Sequence, residues 1–194
     1  MAEVEVPNPE ELKEIREKNF GKKIALVTAL FAMVLAIASL GGNHAMKEML
    51  LSQEQASDQW AYYQAKSIRE HLYESQKVLL ENQLLLAESL SADATKNVKT
   101  SIDDLAAEGA RYANEKKEIE KEARKLEKER DKNRARDLYF EYAEVLLQIA
   151  IVMASVSIIA ASIPVFVFST LMAAAGTVMC MNGYFQIFAL PFLH

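Results

Sequence analysis

The chain is poor in the residues from which active sites are built. It has a single cysteine, Cys180, so no intrachain disulfide can form and no redox compartment is implied. Its histidines, His44, His71 and His194, are scattered, with no cysteine or carboxylate at metal-ligand spacing beside them. There is no glycine-rich phosphate loop and no nucleophile elbow. No cofactor or metal is therefore expected, and the chain reads as a protein that is not an enzyme. The net charge of −5 over 194 residues is modest and gives no footprint for a nucleic-acid partner.

Charge is missing altogether from two long runs. Ile24 to Gly42 is 19 residues without a charge and Val145 to Leu193 is 49. A bilayer core of about 30 Å is crossed by roughly 20 apolar helical residues, so the first run is one span and the second is two. Pro164 is the expected break between them, because proline removes a backbone donor and disfavours helix in the residue before it. An all-α integral membrane protein follows, with a polar tail carrying a short helix over 1–22 and spans over 23–42, 141–163 and 166–190. The lipid bilayer is its first partner. Burying two such apolar helices in a soluble protein would take a shell that this chain does not have. Lys22-Lys23, the apolar run and Ala36-Ile37-Ala38 could pass for a secretory signal. The preceding polar tail is long for that, and an uncleaved span is expected.

The region between the first two spans, 43–140, lacks proline and has one glycine, Gly109. It is rich in Ala, Glu, Lys, Leu and Arg, which is long-helix composition. A 4-3 repeat runs from Val98 through Ile102, Leu105, Gly109, Tyr112, Lys116, Ile119, Ala123, Leu126, Arg130, Asn133 and Asp137 to Phe140. A second repeat, at Ala61, Ala65, Ile68, Leu72, Ser75, Leu79, Asn82 and Leu86, precedes it. The two predict a coiled-coil-like antiparallel hairpin with its turn near 89–98. In the register that sets large residues against small ones, Ala61 faces Leu126, Ile68 faces Ile119, Ser75 faces Tyr112, Leu79 faces Gly109 and Leu86 faces Ile102.

Small residues repeat along each span. Ala29 and Ala36 belong to a stripe in the first, Ala154 and Ser157 to one in the second, and Ala173, Gly176 and Gly183 to one in the third. Lipid tails give helices no hydrophobic drive to associate, so spans pack where small side chains let backbones approach. The stripes predict a tight bundle or a homo-oligomer.

Aromatic residues are few, and the only tryptophan lies in DQWAYYQAK, residues 58–66. If the helix continues outward from residue 43, Trp60 stands roughly 25 Å beyond the hydrocarbon edge, too far for an interfacial belt. A bend near Gly41-Gly42-Asn43 would restore the belt. The seam through Ala61, Ala65 and Ile68 puts Trp60 and Tyr63 beside or behind it. With Tyr62, Gln64, Ser67 and His71 they then make a candidate protein-interaction face, for a second copy or a membrane partner protein. Packing within one subunit and a lipid or ligand site are the alternatives.

The block QASDQWAYYQAKSIRE, placed soon after a first span, resembles the signature of a family of small bacterial membrane proteins catalogued as a domain of unknown function. The resemblance extends to the long charged helical loop and the two C-terminal spans. It implies a multi-pass protein of the bacterial inner membrane and supplies no activity.

Glu141, Glu144 and Gln148 enter the second span and form the one ionisable cluster near the membrane. Intramembrane carboxylates mark ion pathways, but headgroup water can reach these. Orientation is contested. Five basic residues before the first span favour a cytoplasmic N-terminus, whereas eight from Lys121 to Arg136 favour a cytoplasmic hairpin. The near-neutral tail is the easier segment to translocate, so the hairpin is placed in the cytoplasm. Two functions are carried forward: a non-enzymatic membrane scaffold or assembly protein that oligomerises through its spans and hairpin, and an ion-conducting or motor-type subunit using Glu141 or Glu144.

Overall fold

The computed structural model describes residues 9–86 and 91–188. Among them the regular structure is wholly helical: α1, Pro9–Leu86; α2, Ala92–Ile159; and α3, Ile163–Phe185. All three contain a window long and apolar enough to cross a membrane.

Proline sets where two of the helices, α1 and α3, start. Pro9 opens α1 and Pro164 lies in the first turn of α3, where a missing amide proton costs nothing. No proline lies between them, and α1 and α2 run for 78 and 68 residues. The end of the polar tail, the first apolar run and the first charged arm thus belong to one helix, and Gly41-Gly42-Asn43 are helical within it. Ser91 caps α2, its hydroxyl oxygen accepting the Ala94 amide proton at 3.2 Å. Of the turn expected at 89–98, residues 89 and 90 lie outside the described residues, as do 189 and 190 of the third span, and 92–98 are helical.

The break between the last two helices falls at 160–162, just ahead of Pro164. It is a Schellman motif: the Ser162 amide donates to the Ser157 carbonyl at 3.1 Å and the Ala161 amide to Ile158 at 3.3 Å. Ala161 takes φ 46° there, a left-handed conformation usually given to glycine.

The chain divides into two compact units, Met1–Glu48 with Lys132–His194, and Met49–Asp131. The core of the first is built from Ala38, Ala45, Phe140, Ala143, Leu147, Ala150, Ala173 and Cys180. Phe140 is fully buried, and small residues make room for it. A Cβ on Gly41 would lie 2.6 Å from the Phe140 ring, and one on Gly183 would lie 2.8 Å from it. Tyr184 packs edge-on against Phe140 at 4.9 Å and donates its hydroxyl proton to the Ile37 carbonyl. Buried Asn182 fastens the chain beyond α3, giving a hydrogen bond to the Phe188 carbonyl and accepting one from the Phe188 amide.

In the second unit the α2 residues Val98, Ile102, Leu105, Gly109, Tyr112, Lys116, Ile119, Ala123, Leu126 and Arg130 are all buried or half-buried. The inward face of α1 differs from the expected one. Ala61, Ala65, Ile68, Leu72, Ser75, Leu79, Asn82 and Leu86 are every one exposed. The buried or half-buried 4-3 series runs instead through Ser52, Ala56, Gln59, Tyr63, Lys66, Glu70, Tyr73, Lys77, Leu80 and Leu84. Apolarity alone misplaces this seam. Its aromatic and long charged side chains bury rings and methylene stems while their polar ends find partners.

Candidate interaction surfaces

The aromatic segment of α1 turns out to be the heart of this inward face. The Trp60 indole Nε1 donates to Glu127 Oε1 at 2.9 Å, and its ring meets Tyr63 edge-on at 5.4 Å. Arg124 lies over the Trp60 ring at 5.8 Å and Lys116 over Tyr63 at 5.3 Å, within reach of a cation–π attraction. Lys66 sits between the rings of Tyr62 and Tyr112, at 5.1 and 5.0 Å, and its Nζ contacts Glu115 at 2.5 Å. Lys116 pairs with Glu70 and donates to the Ser67 hydroxyl. Tyr73 stacks on Tyr112 at 5.5 Å.

This arrangement corrects the expectation that Trp60 and Tyr63 lie off the intrachain seam. They are half-buried against α2 residues of their own unit, and Ser67 joins them. Tyr62, Gln64 and His71 are exposed, so the six candidate residues do not share one free face. The rings act as flat apolar spacers, and the cations between them are held by carboxylates.

The charge pairing shows in the titration of the groups. The hydrogen bond from Lys66 holds Glu115 below the ordinary carboxylate range, and Glu115 in turn raises Lys66. Lys116 is raised by Glu70. Hydrogen bonds from Arg69, then Arg111, lower Tyr112.

The expected register also leaves a mark. Where Leu79 was to fill the space above Gly109, a groove of about 250 Å³ opens, lined by Glu70, Leu105, Gly109 and Ala113 among others, and nothing lies within 4 Å of a Cβ on Gly109.

The small-residue stripes divide in two. Ala154, Ser157, Ala173, Gly176 and Gly183 are buried within the first unit. There the Ser169 hydroxyl donates to the Ala150 carbonyl at 2.6 Å, and a Cβ on Gly176 would fall 2.9 Å from Leu147 Cγ. These stripes serve the chain's own packing. On α1 the opposite holds, for Ala29 and Ala36 are exposed, with Ala25 and Ala32. The inward face of that segment is Ile24, Ala38, Gly41, Gly42 and Ala45.

Glu141 and Gln148 are exposed, whereas Glu144 is half-buried beside Gly42. Asp137, one helical turn before Glu141, completes an acidic row that was legible only as a seam position. Burial, and then Glu141 and Glu144, push its carboxyl above the ordinary range. Among the described residues no group of three or more His, Cys, Asp or Glu side chains is placed to hold a metal ion.

A family model described as a domain of unknown function (DUF4337) matches residues 20–186. The chain belongs to that family. The match to DUF4337 takes in all of α2 and α3 and most of α1. No curated protein and no solved structure matches the chain.

Proposed function

We propose that this DUF4337 protein is a non-enzymatic, multi-pass membrane protein that self-associates, serving as a scaffold or assembly element of the bacterial inner membrane. The observation that carries the reading is the direction of its apolar side chains. Only 17, 28 and 22% of the apolar windows of α1, α2 and α3 are buried inside the chain. Leu26, Leu40, Ile159 and Leu171 are among many large apolar residues turned outward. Water would penalise that surface at roughly 25 cal/mol per Å², and hydrocarbon accepts it.

The arms 49–86 and 92–131 read as an antiparallel helical hairpin outside the membrane. Support comes from the order of their contacts, with Gln53 meeting Arg130, Trp60 meeting Glu127, Lys66 meeting Glu115 and Tyr73 meeting Tyr112. Self-association is supported by the α1 stripe of Ala29, Ala32 and Ala36, which none of the described residues buries and which would let a second span approach closely. The ion-conducting alternative gains nothing from Glu141 and Gln148, both exposed.

The reading makes two claims that one preparation tests. The chain should stay with the membrane through alkaline carbonate extraction, and in lipid nanodiscs its mass should be a multiple of one chain. Release by carbonate would sink the membrane claim, and a single-chain mass would sink self-association.

A further inference from the structure

Within the second unit, the side of α1 that faces away from α2 carries a 4-3 series of its own. Ile68, Leu72, Leu79 and Leu86 lie on it and are 70, 54, 58 and 81% exposed. Ser75 and Asn82 are its polar members, also exposed. From Ala61 to Leu86 the series covers 26 residues, about 39 Å of helix. That is long enough for such a repeat to mark a coiled-coil seam. A largely apolar stripe of this length marks an interaction surface, unlike leucines scattered singly over a protein.

The positions flanking the stripe say what covers it. Elsewhere in the unit, contacts are made by opposite charges, as where Lys66 meets Glu115 and Lys116 meets Glu70. The flanks of this stripe hold Tyr62, Gln76 and Gln83 on one side and Gln64, Val78 and Leu85 on the other. The charged exception, Arg69, is engaged by Tyr112 of its own chain, and His71 lies beside Glu74. A different partner helix would be selected by complementary charges at these flanks. In a parallel in-register pair each residue of one flank faces the residue five positions on in the other copy, so Gln64 meets Arg69, His71 meets Gln76 and Val78 meets Gln83, and no like charges are opposed. Asn82 fits the same pattern. Its amide carries both donors and an acceptor, so two Asn82 side chains satisfy each other across a twofold axis.

We propose that this stripe is the seam of a parallel α1–α1 coiled coil between two copies of the chain. The proposal rests on the self-association read above, and it puts the contact on the leucine face of the arm, opposite Trp60 and Tyr63.

The test uses the full chain, with Cys180→Ala, in lipid nanodiscs and in vesicles. Ser75→Cys should oxidise to a disulfide-linked dimer, while Lys125→Cys, on the outer face of α2, should not. Adding Leu72→Glu and Leu79→Glu should abolish the Ser75→Cys dimer and leave helix content unchanged, because both leucines are exposed in the single chain. A wild type that is oligomeric in nanodiscs yet gives no Ser75→Cys dimer, or a dimer indifferent to the two glutamates, overturns the seam and leaves self-association to another surface. Equal cross-linking from Lys125→Cys means random collision and overturns it too. A monomeric wild type overturns both readings.

Discussion

Three glycines of this chain do opposite things, and substitution separates them. Gly183 and Gly41 exist for the Phe140 ring, which fills the space their missing side chains leave. Gly183→Ala should destabilise the first unit by about 1–3 kcal/mol, the usual cost of forcing a methyl into a packed core. Gly109 lies within α2 with open space above it and no left-handed backbone to protect. Gly109→Ala should stabilise the second unit by about 1 kcal/mol, the helix-propensity difference between the two residues. Thermal unfolding of both variants in one detergent checks the pair. Two losses, or two gains, would contradict this account of the glycines.

At the scale of the element, α1 is a helix with two working faces in its charged arm. One buries aromatic rings and paired charges against α2, and the other is a leucine stripe. The paired face carries a pH signature. Glu115 has a folded pKa below its unfolded value, so its contribution is complete above the unfolded value, about 4.3, and is lost as pH falls through the folded value. Lys66 is raised, so its contribution is complete below about 10.4 and is lost as pH rises through the folded value. The contribution of this pair should therefore be flat between about pH 5 and 10 and decline on both sides. Far-ultraviolet circular dichroism melts across that range would show it. Lys66→Met should remove the contributions of this pair at both ends, and an unaltered profile in that variant would assign the pH dependence to other groups.

For the whole molecule, orientation is the property on which any partner depends. Eight basic residues from Lys121 to Arg136 precede the second span, and positive flanks stay on the cytoplasmic side. Lys96 is exposed near the start of α2. With Cys180→Ala, a Lys96→Cys variant should resist a membrane-impermeant thiol reagent in intact cells and react after lysis. Labelling in intact spheroplasts would place the arms on the outer side.

Helix content, the three apolar segments and the α2 seam were legible in the sequence, because proline placement, uncharged runs and apolar periodicity are each encoded locally. Membership of a family of unknown function was legible too. The α1 seam was not. Ile68, Leu72 and Leu79 make the better apolar stripe, but a seam is chosen by what the facing helix offers, and α2 offers Glu115, Lys116, Glu127 and Tyr112. Three of those side chains satisfy Lys66, Glu70 and Trp60, whose polar ends would be costly to bury without partners, and Tyr112 stacks on the Tyr73 ring. The same holds in the first unit, where Ala29 and Ile24 compete for the inward side of α1 and Ile24 takes it. Periodicity determined that each helix has a stripe to pack, and only the tertiary structure decided which one, because complementarity belongs to a pair of surfaces and a sequence shows them one at a time.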